Sequence, residues 1–266
     1  MGGTLESPRD MLSKITPLIL TYNEAPNIER ALSRLGWAER VVVVDSLSAD
    51  GTPDILKRFP KVEIFQRRFD DHASQWNFGL DQVATEWVLA LDADYLLTDE
   101  FVAELRELQP NGVGVYAASF KYVMFGRRLK ASLYPPRPVL FRKNGNRYYQ
   151  DGHTQKLKTG ESPGRLSSFI DHDDRKSLSS WLEAQDRYAL LEAKKLGTAD
   201  WAGLPLQDKL RKLIVPAPFV AFFYTLLVKG MICEGWAGWY YVFQRTTAEI
   251  LLSLRLIEAK ANSEGE

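Results

Sequence analysis

Short apolar runs closed by polar residues mark out the first half of the chain. "PLIL" from Pro17 gives way to Thr21-Tyr22-Asn23-Glu24, and the β-branched run Val41–Val44 stops at Asp45-Ser46. "VEIFQR" follows from Val62, and "EWVLALDAD" runs from Glu86 to Asp94. Between these runs apolar residues recur at helical spacing over Ala25–Leu35, Pro53–Phe59 and Ser74–Ala84. Strands separated by helices predict an α/β fold: a mostly parallel sheet with helices on both faces. In such sheets ligands bind at the carboxyl ends of the strands, the edge to which all these polar terminations belong.

The pattern then changes twice. A helix is predicted over Asp99–Leu108, followed by strand-like "GVYAASFKYVMFG", the aromatic and basic "YPPRPVLFRKNGNRYYQDGHTQKL", the acidic "IDHDDRK" and a helix over Ser179–Leu196. Residues 213–228, "LIVPAPFVAFFYTLLV", carry no charge, and a glycine- and tryptophan-rich stretch follows. That apolar run is shorter than the roughly 20 residues a spanning helix needs, and prolines interrupt its start. Two readings stay open: a buried core helix pair, or a segment docked on a membrane surface. Trp and Tyr cluster beside it and Lys209, Arg211, Lys212, Lys229 and Arg245 flank it, which favours docking at a headgroup boundary. The expected organisation is a first half over 14–115, a second over 116–175, and a helical C-terminal region over 176–266 that docks on a membrane.

Composition narrows the function classes. The chain has 34 acidic and 34 basic residues, a balance that argues against a nucleic-acid partner, which would require excess positive charge. Its single cysteine, Cys233, excludes an intrachain disulfide and a cysteine-rich zinc site. The first residues lack the apolar core of a signal peptide, so a cytoplasmic location at the inner face of the cell membrane is expected.

The chemistry-bearing stretch is "LDADYL". Asp92 and Asp94 stand one residue apart, so on an extended backbone both carboxylates leave the same side. Hard oxygen donors of this kind suit a divalent cation bound together with a diphosphate. The bland alternative is a strand that ends in a polar turn. Polar ends on three separate runs favour a site.

Together "PLILTYNEAPNIERAL", "VVVVDSLSADGT" and "LDADYLLTDEF" resemble the nucleotide-sugar half of a family 2 glycosyltransferase with the GT-A fold. The resemblance extends, with weaker motifs, to the bacterial lipopolysaccharide-core glucosyltransferase-like branch through "RPVLFRK", the following His motif and the spacing Gly230 to Gly238. It implies a metal-dependent, inverting transfer of a sugar from a nucleoside diphosphate, most simply a UDP-sugar, to a glycan or lipid-linked acceptor in cell-envelope polysaccharide synthesis.

By the same resemblance Thr21, Tyr22, Asn23, Glu24, Asp45, Ser48 and Asp50 line the nucleotide pocket. Gln75 and Asn77 close over the donor, with Trp76 standing where relatives often carry an arginine. Asp92, Ala93, Arg137 and Arg142 face the nucleotide sugar, and Asp92, Asp94 and His153 hold Mn²⁺ or Mg²⁺. Relatives carry His-Glu where this chain reads Asp151-Gly-His153-Thr154-Gln155, so the general base falls to Asp151, with Asp173 and then Asp171 next; His172 is a further metal or phosphate candidate. The missing glutamate also suits a polyprenyl-phosphate glycosyltransferase, whose phosphate acceptor needs no strong base. A non-catalytic nucleotide-sugar-binding membrane scaffold is the rival from outside the enzymes.

Overall fold

The computed structural model describes residues 10–152 and 154–264. The chain divides into two compact units. The first comprises the chain through Phe120 with Tyr134–Tyr149 and Lys156–Arg175, and the second comprises Lys121–Leu133, Gln150–Gln155 and Lys176 onward.

In the first unit the strands are β1 (Ile15–Thr21), β2 (Val41–Asp45), β3 (Val62–Gln66), β4 (Trp87–Asp92), β5 (Tyr95–Leu97), the first part of β6 (Val115–Met124), β8 (Arg137–Arg142) and β11 (Gly164–His172). They form one sheet in the order β3-β2-β1-β4-β8-β6-β11-β5, while β7 (Arg127–Arg128) pairs with β6 in the second unit. β9 (Arg147–Asp151) and β10 (Thr154–Lys158) form a separate ribbon. The helices are α1 (Ile28–Ser33), α2 (Thr52–Leu56), α3 (His72–Gln82) and α4 (Asp99–Glu107), one after each of β1, β2, β3 and β5.

The parallel expectation holds for half of this sheet. β1 pairs in parallel with β2 and β4, and β2 with β3. β8 then runs antiparallel to both β4 and β6, and β11 antiparallel to β5. β6, β8 and β11 continue the same sheet beyond residue 115.

Alternation within the parallel strands explains why they read as unbroken apolar runs. Val41 and Val43 enter one core with Ile15, Ile19, Trp87, Leu89 and Leu91, while Val42 and Val44 enter the other with Leu18, Val88 and Ala90. In β2 and β4 both faces are covered, so their interiors are wholly apolar and polar residues appear only at the ends. Gly79 lets α3 lie close on this sheet, since a Cβ there would meet Leu18 Cδ1 at 2.6 Å.

The second unit is helical: α5 (Leu178–Thr198), α6 (Leu206–Lys212), α7 (Pro216–Phe223) continued by a π turn over Tyr224–Val228, and α8 (Gly235–Glu264). Ala189, Ala193 and Leu196 of α5 pack against Leu252 and Leu256 of α8. Leu226, Met231, Tyr241 and Val242 form a second cluster with Leu129. The connection between α7 and α8 is tight. A Cβ on Gly238 would lie 2.1 Å from the Met231 carbonyl oxygen, which is backbone and cannot swing aside. Gly238→Ala should therefore destabilise the chain by about 1–3 kcal/mol through overpacking, read as an earlier thermal unfolding transition; an unchanged transition would mean that this turn is loose.

Candidate active site

Register puts three polar strand ends at one edge. Thr21 is opposite Asp45, and Leu20 is opposite Asp92. Beyond these ends, side chains sew the loops after β1 and β2 together. Asp45 accepts from Thr21 Oγ1 at 3.0 Å, from Ser48 N–H at 3.0 Å and from Ser48 Oγ at 2.5 Å. Ser48 Oγ accepts in turn from Asn23 N–H, and Asn23 Oδ1 accepts from Ala49 N–H. Asp50 accepts from Thr52 and from Ala25 N–H, hydrogen bonds that hold its carboxyl below the usual range against the opposing effect of burial. Thr52 Oγ1 accepts from Glu24 N–H. Asn23 and Leu47 both take positive φ, 53° and 61°, a conformation enriched for Asn but uncommon for Leu.

Asp45 is 0% exposed and braces the loops from beneath. Tyr22 is 56% exposed, with its ring offered to solvent. Gln75 is also fully buried, donating to Ser46 Oγ at 2.9 Å and accepting from Arg67. Asn77 donates to the Tyr148 carbonyl and accepts from the Tyr148 N–H, both at 2.9 Å, which fastens α3 to the start of β9. Trp76 packs against Tyr148 in the core.

The carboxylate pair is built differently from the expectation of one extended run. β4 ends at Asp92, and Ala93-Asp94 forms a turn before β5. His172 Nε2 lies 3.0 Å from Asp94 Oδ2, and Asp173 N–H donates to the Asp94 carbonyl at 3.0 Å. Burial and then the negative charge of Asp94 push the Asp92 carboxyl upward; a hydrogen bond from Tyr95 and the charges of Arg137 and His172 offset this in part. Burial alone would lower the His172 imidazole, yet the charge and hydrogen bond of Asp94 raise it overall. Tyr95 and Tyr134 share a hydroxyl contact of 2.7 Å, and both rings pack edge-on to His172.

Arg137 and Arg142 part company. In the register of β8 with β4, Arg142 sits opposite Trp87 and Leu140 opposite Leu89. Past a bulge at Val139, Arg137 pairs with Ala118 of β6 and lies near enough to Asp92 for its charge to act on that carboxyl, with its guanidinium 4.3 Å from the Tyr134 ring centre. Arg142 is at the far, amino-terminal edge of β4, ion-paired with Glu86 at 3.3 Å and stacked over Trp87. Five residues of strand separate the two by roughly 17 Å, so they stand at opposite ends of β8. They cannot grip one diphosphate together. A shallow depression lined by Thr85, Glu86, Lys143 and Arg147 also lies at that far edge, away from the carboxylates.

Asp173 and Asp151, two of the three candidate bases, are engaged. Asp173 is nearly buried between Arg30 at 2.5 Å and Arg175 at 3.1 Å. Asp151 belongs to the second unit, where Lys195 Nζ lies 2.8 Å away. His153 lies outside the described residues. Asp171 stands on β11 opposite Leu96.

Among the described residues no three His, Cys, Asp or Glu side chains converge as a metal cage. The donor set nonetheless fits Mg²⁺ or Mn²⁺ of the kind held by one or two carboxylates and completed by substrate phosphates. Asp92 and Asp94 are hard oxygen donors whose mutual repulsion a cation would relieve. Tyr95, Tyr134 and Arg30 were not legible as site residues. Tyr95 directly after the Asp pair and Tyr134 ahead of two prolines and Arg137 were the available signals.

A parallel half-sheet with acidic and polar strand ends, joined to an antiparallel half that returns an arginine to the same edge, defines a GT-A-type α/β protein. The chain belongs to glycosyl transferase family 2, whose family model matches residues 18–167. It is 35% identical over 89 residues to the SPbeta prophage-derived glycosyltransferase SunS of Bacillus subtilis, covering 32% of this chain and 21% of that protein. It is 30% identical over 96 residues to an uncharacterized glycosyltransferase of Rickettsia prowazekii, covering 36% of this chain and 32% of the relative. The matched stretch thus spans a fifth to a third of these relatives. The mannosyltransferase PcManGT from Pyrobaculum calidifontis, solved with GDP-Man and Mn²⁺, shares the fold: TM-score 0.50, 17% identity, covering 97% of this chain and 90% of that one.

Proposed function

We propose that the chain is a metal-dependent inverting glycosyltransferase. It moves a sugar from a nucleoside diphosphate, preferably uridine diphosphate, to a glycan or lipid-linked acceptor in envelope polysaccharide assembly at the cytoplasmic face of a membrane. The observation that carries the reading is the meeting of Asp92, Asp94 and Arg137 at the edge where β1, β2 and β4 end.

In this reading Tyr22 stacks on the base, and the braced loops with Asn23 and Ser48 shape the ribose side. Arg137 offers its guanidinium to the diphosphate, where charge-assisted bonds are strongest. His172 fixes the direction of Asp94. When bound, a divalent cation held by Asp92 and Asp94 would neutralise the charge that the departing nucleotide acquires. The two arginines leave Asp173 a bracing role. The solved mannosyltransferase with GDP-Man and Mn²⁺ supports placing a nucleotide sugar and a cation in one such fold.

Nucleotide-sugar titration in the presence of Mn²⁺, followed by thermal shift and calorimetry, tests the reading. Arg137→Ala should weaken donor binding about 10- to 100-fold, as expected for one hydrogen bond to a charged group, whereas Arg142→Ala should leave it within about twofold since its guanidinium sits at the other edge. Equal losses in both variants, or no response to any nucleotide sugar, would defeat the assignment.

A further inference from the structure

The segment from Pro216 to Val228 is apolar on both sides. Ala217, Thr225 and Leu226 are buried, while Phe219, Phe223, Leu227 and Val228 stand out on the opposite face at helical spacing. Phe219 is 63% exposed, Val228 70%, and Trp236 at the start of α8 86%. An ordinary surface helix turns polar residues outward, and a helix apolar all round needs cover on every side. Scattered exposed apolar residues need no explanation, but a row along one helix face marks an interaction surface.

Charge and length select the cover. Lys209 and Lys229 bracket the apolar run, Lys229 with its ammonium 5.7 Å from the Tyr224 ring centre. The nearby acids are withdrawn: Asp208 is buried and paired with Arg211, and Glu234 is buried and paired with Arg127. The rim left to solvent is cationic, so pairing this face with a second copy of itself would bring like charges together. Among the described residues no single helix is long and apolar enough to cross a membrane, and the one pair that passes together, Pro216–Val228 with Met231–Asn262, is bent by 66°. As a helix the first arm reaches about 20 Å, short of the roughly 30 Å hydrocarbon core.

We propose that this face docks the protein in the interface of an anionic phospholipid leaflet, lying in the membrane plane without crossing it. Phe219, Phe223, Val228 and Trp236 enter the acyl boundary, and Lys209 and Lys229 meet lipid phosphates. The inference rests on the membrane-facing part of the function proposed above and makes it specific; donor binding measured without vesicles reports on the transferase reading separately.

The test is co-sedimentation of the intact chain with vesicles of phosphatidylcholine alone and of phosphatidylcholine mixed with phosphatidylglycerol. Wild type should partition to the anionic vesicles at least about tenfold more strongly, in line with the attraction of a few lysines to a charged leaflet. Phe219→Ser/Phe223→Ser should lose at least about tenfold of that binding with an unchanged melting curve, since the rings removed are exposed. Should that variant melt early, Trp236→Ser carries the same expectation. Lys209→Glu/Lys229→Glu should remove the preference for anionic vesicles. The proposal is overturned by wild type staying in the supernatant with both vesicles, by serine variants binding as wild type does, or by a wild-type dimer in sedimentation velocity that the serine variants convert to monomer.

Discussion

Asp94→Asn is expected to lower donor turnover about a thousandfold while leaving the fold intact. Asparagine preserves the shape of the side chain, so the turn between β4 and β5 and the hydrogen bond from Asp173 N–H to the carbonyl of residue 94 persist. What disappears is one of two negative charges that would anchor a divalent cation. Such an ion supplies several kcal/mol of stabilisation to a departing anion, and each 1.36 kcal/mol is a factor of ten in rate, so about 4 kcal/mol corresponds to the expected loss. Folding should change little, because relief of the Asp92–Asp94 repulsion offsets the weakened charge on His172, whose Nε2 can still donate to the side-chain oxygen of the new amide. The measurement is release of nucleoside diphosphate from donor with saturating Mn²⁺, beside a thermal unfolding curve. A variant that retains a tenth of the wild-type rate would show that the edge does not work through a cation.

Arg30→Met should cost about 3 kcal/mol or more of folding stability. Arg30 holds the nearly buried Asp173 at 2.5 Å, donates to the Asp173 carbonyl at 2.7 Å and to Asn27 Oδ1 at 3.0 Å. Removing one partner strands a carboxylate out of water, and breaking such a pair is far more damaging than never having had it. Arg175 remains beside Asp173 but is half exposed, so it compensates only in part. The double variant Arg30→Met/Asp173→Leu should recover most of the loss, since neither charge then needs company. Denaturant midpoints of the single and double variants decide this; a double variant as unstable as the single would mean that packing around α1, and not the stranded charge, sets the cost.

How much of this was legible in the sequence depended on where a residue sat along its strand. Val41–Val44 and Val88–Leu91 announced buried strands because both their faces are covered, and Thr21, Asp45 and Asp92 announced the ends because only there can polar groups occur. The depth of a polar group was not legible. Nothing in the sequence says that Asp45 and Gln75 are fully buried and accept from Ser48 and Arg67 of neighbouring loops. Direction was not legible either: nothing in "RPVLFRK" says that β8 runs against β4, and that reversal decides which of Arg137 and Arg142 lies at the acidic edge. The contacts of Asp94 with His172 and of Arg30 with Asp173 join residues far apart in the chain, and only the assembled sheet brings them together.

The antiparallel seam between β4 and β8 also works as a proofreading device for the fold. Pairing one residue out of step would turn Phe141 out of its core and, by the same half-turn, send Arg137 away from the acidic edge. A seam paired out of step would thus be both less stable and short of the arginine charge that acts on Asp92, so correct assembly and the charge balance of this edge depend on one strand pair.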